Sequence, residues 1–120
     1  MKIDTPSLRI ACADLNGLMR GKRLPAAAAK ELEFTGHRMP LSLLATDVLG
    51  QAMPGAATGD GQLRITDRGP VPMPWLDLPA ALVPMWMYSD DSRADPRCPR
   101  HALGRVLAQW TRKGVSITAE

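Results

Sequence analysis

The dipeptide Asn16-Gly17 constrains this chain more than any other feature. It separates two runs of extended character, Leu8 to Ala13 and Leu18 to Leu24. Both residues of the dipeptide tolerate the positive φ of a tight two-residue turn. The pattern predicts an antiparallel hairpin whose second strand carries a basic cluster, Arg20, Lys22 and Arg23. Pro25 then suits the first position of a helix, where its missing N–H costs nothing. The segment "PAAAAKELEFTG" is rich in helix-favouring alanine, and Gly36 is its expected stop.

Beyond that helix the signals alternate between strand and loop. "LSLLATDVLG" reads as a third strand ending at Gly50, and "QAMPGAATGDG" has the composition of a mobile loop. "QLRIT" alternates as a fourth strand, and "DRGPVPMPW" is an extended Pro-rich connection. "ALVPMWMY" is a fifth strand in which Pro84 removes a ladder donor, so an edge or a bulge is expected there. Its Met85, Trp86 and Met87 fit either a core strand or an exposed contact strip, and Pro84 tilts the reading toward an edge that meets a neighbour. From Pro99 to Lys113 the apolar residues Ala102, Leu103, Val106, Leu107 and Trp110 recur at helical spacing, and Gly114 caps the helix. "VSITAE" begins a further β-like segment with nothing after it to pair with. Either it folds back onto the sheet, or residues 115–120 begin something longer after a first domain spanning residues 1–114, and the abrupt ending favours the second.

Composition narrows the class. A chain of 120 residues at 45% hydrophobic content supports one core. With aromatics at only 4%, aliphatic residues and seven methionines must carry the packing. A net charge of +3, dispersed along the chain, lacks the basic stripe expected of a nucleic-acid binder. Cys12 and Cys98 match no metal or redox spacing, so both read as unpaired thiols in a reducing compartment. "MKIDTPSLRI" has no apolar signal region, and no run approaches the roughly 20 residues of a membrane span. The expectation is a soluble, cytoplasmic chain with no nucleic-acid or membrane partner.

Hairpin, helix and further strands in a mixed sheet outline an α+β, β-grasp domain of about five strands, with one packed helix and one C-terminal helix. At this point a resemblance becomes visible. "DLNGLMRGKRLPA", "LLATDVLGQ", "GDGQLRITD", "PVPMPW" and "DPRCPRHALGRVL" occur in one order and cover most of the chain. Together they resemble the N-terminal domain of the glutamine synthetase family, most of all the branch containing γ-glutamylpolyamine synthetases. The resemblance implies a β-grasp domain followed by a larger catalytic domain. It also implies ligation of an amine to the γ-carboxylate of glutamate through a γ-glutamyl phosphate, using ATP and Mg²⁺ or Mn²⁺. The complete enzymes are homo-oligomeric rings in which this domain closes the neighbouring subunit's active site. No cofactor is expected for this chain alone.

The resemblance singles out two residues. Asp47, in "LLATDVLG", matches the family's aspartate that faces the incoming amine. A carboxylate there can hold an ammonium group and then accept its proton, so that the neutral amine attacks. The plainer reading is that Asp47 caps a strand end or pairs with a nearby arginine. Ammonia-using members continue Gly-Ser-Ser after this aspartate, whereas Val48-Leu49-Gly50 follows here. That less polar lip implies an amine larger than ammonia, or an altered activity. Glu120 resembles the first of the family's Glu-x-Glu metal ligands, since carboxylate oxygens suit hard ions. One terminal carboxylate makes no site by itself.

Other candidates read as structural. Arg20, Lys22 and Arg23 form a solvated or subunit-facing basic edge. His37 and His101 are isolated surface or helix-end residues. "GDGQLR" precedes no helix and is no phosphate loop. The alternative to a ligase domain is a free-standing β-grasp module that binds other proteins.

Overall fold

The computed structural model describes residues 1–118. Its strands are β1 (Ser7–Ala13), β2 (Met19–Pro25), β3 (His37–Pro40), β4 (Asp60–Ile65), β5 (Val71–Met73) and β6 (Ala80–Tyr88). Helix α1 (Ala29–Thr35) follows a 3₁₀ turn at Ala26–Ala28, and helix α2 (Pro99–Arg112) comes last. The strands form one mixed sheet in the order β2-β1-β6-β4-β3, with β5 also paired to β6. Only β1 and β6 run parallel, with Leu8 beside Ala81 and Ile10 beside Val83. Two hairpin-like arms flanking a parallel central pair give the β-grasp arrangement the sequence predicts.

Strand alternation builds the core. On β1, Leu8, Ile10 and Cys12 point inward, and Val83, Met85 and Met87 do so on β6. Ala29 and Leu32 of α1 cover them, and Leu41, Leu44 and Leu63 close the cluster. Each such Leu or Met removed from water stabilises the fold by about 1.5–3 kcal/mol before entropy is counted. Helix α1 stops where expected. Gly36 takes φ 68°, a left-handed backbone that suits glycine, and its N–H returns to the Leu32 carbonyl.

Several expectations are corrected. The hairpin is not a two-residue turn with positive φ at both residues. Gly17 has φ 77° and Asn16 does not share it, while Gly17 N–H bonds the Asp14 carbonyl and Asp14 N–H bonds the Leu18 carbonyl. That is a type I turn with a left-handed glycine after it, the commonest three-residue hairpin loop. "LSLLATDVLG" is no strand. Leu41–Leu44 is a 3₁₀ turn, because Leu41 and Leu44, three apart, both bury on one side. The strand before it, β3, carries no strong apolar signal and escaped the sequence reading.

Pro84 sits neither at an edge nor in a bulge of an outer strand. It lies in β6 at the centre of the sheet: β1 pairs one edge up to Pro84, while on the other edge the partner changes from β5, up to Leu82, to β4, from Met85 onward. The missing N–H falls at that changeover, and the Pro84 carbonyl still accepts from Thr66 N–H at 3.2 Å. Met85 and Met87 are therefore core, not a contact strip. Helix α2 forms as predicted, yet Leu103, Val106 and Trp110 remain 57%, 46% and 43% exposed. Residues 115–118 form no strand.

Candidate functional site

Two loops of the same construction meet at one end of the sheet. In "DLNGL", the Asp14 Oδ1 accepts N–H groups from Asn16 at 2.8 Å and Leu18 at 2.9 Å. In "DVLGQ", the Asp47 Oδ1 accepts N–H groups from Leu49 at 2.9 Å and Gln51 at 2.8 Å. Gly17 and Gly50 occupy equivalent places at φ 77° and 84°, and each donates its N–H to the preceding aspartate's carbonyl. Asp47 N–H bonds the Gln51 carbonyl as Asp14 N–H bonds that of Leu18. An aspartate side chain that bonds the backbone two residues on explains why both loops begin with Asp.

The second oxygens differ. Asp14 is 1% exposed, and its Oδ2 accepts from Arg20 Nε at 2.9 Å and from Thr46 Oγ1 at 3.3 Å. Burial alone would raise the Asp14 carboxyl. The Arg20 guanidinium and the N–H groups of Leu18 and Asn16 outweigh it and hold the group below the usual carboxylate range. Asp47 Oδ2 has no hydrogen-bond partner among the described residues, and Asp47 is half-buried.

The two loops are tied together. Asn16 Nδ2 donates to the Thr46 carbonyl at 2.7 Å, and Arg20 Nη2 donates to the Asp47 carbonyl at 3.3 Å. Arg20 is thus no member of a solvated edge; it bridges the hairpin and the Asp47 loop. Lys22 and Arg23 are exposed, as expected. Val48 and Leu49, which follow Asp47 in its loop, are 72% and 82% exposed, and Leu15 of the hairpin loop is 63% exposed. The arrangement can hold a cation against a fixed carboxylate beside apolar surface.

Asp47 caps a loop rather than the strand end that the plain reading expects, and one of its oxygens has no partner among the described residues. It does not close a strand, and its ring of contacts holds Arg20 through the backbone carbonyl rather than through the carboxylate. Glu120 lies outside the described residues. Among the described residues no three His, Cys, Asp or Glu side chains converge on a metal position. Gly61 of "GDGQLR" lies inside β4, so that segment cradles no phosphate.

The sequence reading missed a second buried carboxylate. Asp95 is 1% exposed, and Arg97 grips it with Nε at 2.9 Å and Nη2 at 2.5 Å. Burial raises the Asp95 carboxyl, and the Arg97 bonds more than offset it. Asp-x-Arg before a helix was the available signal. His101, read as a surface or helix-end residue, lies in the first turn of α2, where it stacks on Trp86 at 4.7 Å and meets Tyr88 edge-on at 5.0 Å. Cys12 and Cys98, 86 positions apart in the chain (98 − 12), are both fully buried in the same core cluster.

No protein-family model matches the chain. γ-Glutamylputrescine synthetase PuuA of Escherichia coli (strain K12) is 31% identical over 119 residues, an alignment covering 93% of this chain and 25% of that enzyme. A glutamine synthase homolog of known structure matches 94% of the chain and 28% of its own length with a TM-score of 0.79 at 18% identity. GmaS in a complex with ADP matches 91% of the chain and 24% of its own length with a TM-score of 0.72 at 24% identity. GmaS without ligand gives the same TM-score, 0.72, at 23% identity. The chain thus spans about a quarter of the length of these relatives. It is a homologue of γ-glutamylputrescine synthetase over about a quarter of that enzyme's length, and it shares its fold with GmaS and the glutamine synthase homolog, consistent with the N-terminal domain of the glutamine synthetase family.

Proposed function

We propose that residues 1–114 are the N-terminal domain of an ATP-dependent glutamate–amine ligase, with residues 115–120 leading into its catalytic domain. In this reading the domain completes the active site of a neighbouring subunit in a homo-oligomeric ring. ATP and Mg²⁺ or Mn²⁺ are bound by the remainder of the enzyme, to which Glu120 contributes a metal ligand. The reaction belongs to cytoplasmic nitrogen metabolism, in glutamine or polyamine chemistry. Alone, the chain is not expected to turn over.

One observation carries the reading. Two loops share one construction; in the first both aspartate oxygens are engaged, and in the second Asp47 Oδ2 is left open. A carboxylate anchored through one oxygen and free at the other suits holding an alkylammonium and taking its proton. Exposed Val48 and Leu49 favour an alkylamine over ammonia, since they offer surface to methylenes.

The test is a chimera in which this chain replaces the matching quarter of the Escherichia coli γ-glutamylputrescine synthetase. The expected outcome is an assembled oligomer with glutamate- and amine-dependent ATP hydrolysis. An oligomer of full size without amine-dependent turnover would overturn the reading. The rival reading, a free-standing protein-binding module, draws on the uncovered apolar face of α2 at Leu103, Val106 and Trp110.

A further inference from the structure

The outer face of the sheet, opposite the core, carries an unresolved repulsion. Register places Arg9 of β1 directly across from Arg23 of β2, and both side chains are exposed. Like charges directly opposite on one sheet face are destabilising. Among the described residues neither arginine forms an ion pair, nor does neighbouring Lys22. The cations rim a cavity of about 410 Å³ whose apolar walls include Met19, Met73 and Leu82.

The complement lies at the edge of the same face. Met73 ends β5, and the chain then turns through "PWLDLP" before β6. In that loop Trp75 is 70% exposed and Leu78 is 61% exposed. Between them sits Asp77, exposed and without an ion pair among the described residues. An aspartate flanked by large apolar groups matches, in charge and in polarity, a cavity with apolar walls and an arginine rim. Met73 and Ala80 pair at the base of the loop, and none of residues 74–79 lines the cavity of its own chain.

We propose that this face is a self-complementary interface between two copies of the chain. The Trp75–Leu78 loop of each copy enters the cavity of the other, and Asp77 sits between Arg9 and Arg23. A two-fold axis makes the contact twice, as an isologous interface requires. Arginine is suited to the task, since its planar fork binds a carboxylate through two parallel hydrogen bonds. The inference does not depend on the ligase reading, because no residue of the Asp47 loop takes part.

Sedimentation velocity on the 120-residue chain tests it. The expected result is a concentration-dependent dimer that weakens as salt is raised toward about 1 M, where screening reaches about 3 Å. Asp77→Arg places three cations together, and Arg9→Asp with Arg23→Asp places three anions together. Each variant alone should self-associate about a hundredfold more weakly or worse, because like charges juxtaposed across an interface oppose association strongly. Mixing the two variants should restore a dimer, since each then offers the sign that the other lacks. That restoration also shows that both variants are folded. A wild-type chain monomeric at every soluble concentration overturns the proposal. So does a dimer that neither charge reversal weakens, or a mixture no more associated than its components.

Discussion

Asp14 and Asp47 close five-residue loops of the same construction, yet the Oδ2 of Asp14 is locked by Arg20 and Thr46 while that of Asp47 has no partner among the described residues. The difference leaves one carboxylate fully engaged and the other with a single oxygen unpartnered among the described residues. Asp47→Asn retains a carbonyl oxygen for the Leu49 and Gln51 N–H groups, so the loop should stand and the unfolding free energy should change by less than about 0.5 kcal/mol. In an assembled ligase bearing this domain, the same change removes the base. Amine-dependent turnover should fall by about a hundredfold to ten-thousandfold. Steady-state kinetics at saturating amine check this, and unchanged turnover would leave Asp47 a loop cap alone.

Arg20→Ala should cost far more stability than an ordinary surface substitution. It strips the buried Asp14 carboxylate of its charged partner and cuts the strap to the Asp47 carbonyl. Removing one member of a buried pair costs about 3–5 kcal/mol, and the quarter-exposed Arg20 places this case near the lower end. Urea unfolding measures it. A loss below about 1 kcal/mol would show that water replaces the guanidinium without penalty.

Acid should unfold the chain in two stages. Burial and nearby Arg105 hold His101 below its ordinary value, with the Met87 carbonyl and Asp95 opposing them, and burial does the same to His37. A histidine lowered in the folded state contributes stability above its unfolded value, near 6.5, and loses it as pH falls below that. Asp14 and Asp95 are lowered too, so their contribution is complete above about pH 4 and disappears below it. Urea midpoints from pH 8 to 3 should show both declines, and His101→Gln should flatten the first. A midpoint that rises on acidification from pH 7 to 5 would contradict the histidine assignment.

The thiols should be inert in the native protein. Burial, with Cys98 close by, pushes the Cys12 thiol up to about 12. Against a free thiol near 8.5, that lowers the thiolate fraction at neutral pH about a thousandfold. Thiol titration should therefore find Cys12 about a thousandfold slower in buffer than in 6–8 M urea, those concentrations being roughly the usual unfolding range. Comparable rates in the two conditions would mean that the core opens readily at β1.

Gly21 should tolerate no side chain. A Cβ there would run into the Ile10 carbonyl and the Ala11 backbone of the paired strand. Both obstacles are main chain, so relief requires moving β2 off β1. Gly21→Ala is expected to cost about 3 kcal/mol or more, at the upper end for overpacking. Thermal unfolding by circular dichroism reads it, and a shift of only a degree or two would show that the ribbon adjusts freely.

What the sequence determined by itself was local. The hairpin at Asn16-Gly17, the stop of α1 at Gly36 and the span of α2 were all legible, because each depends on residues within one turn of each other. The grasp outline followed from their order. Asp47 was legible only through its resemblance to a family motif; its place in a loop rather than a strand was not. Leu41 to Leu44 shows why: four apolar-leaning residues in a row carry no period, and only burial against β4 and β6 decides between a strand and a 3₁₀ turn. Pro84 was misjudged for a related reason. A missing donor is costly only if a partner strand stands opposite, and the change of partner from β5 to β4 along one edge of β6 is a tertiary fact. The Asp14–Arg20–Thr46 network joins residues up to 32 positions apart, and the shared burial of Cys12 and Cys98 spans still more chain. No spacing rule encodes such contacts, because they arise when the sheet closes and brings two separate loops to the same end.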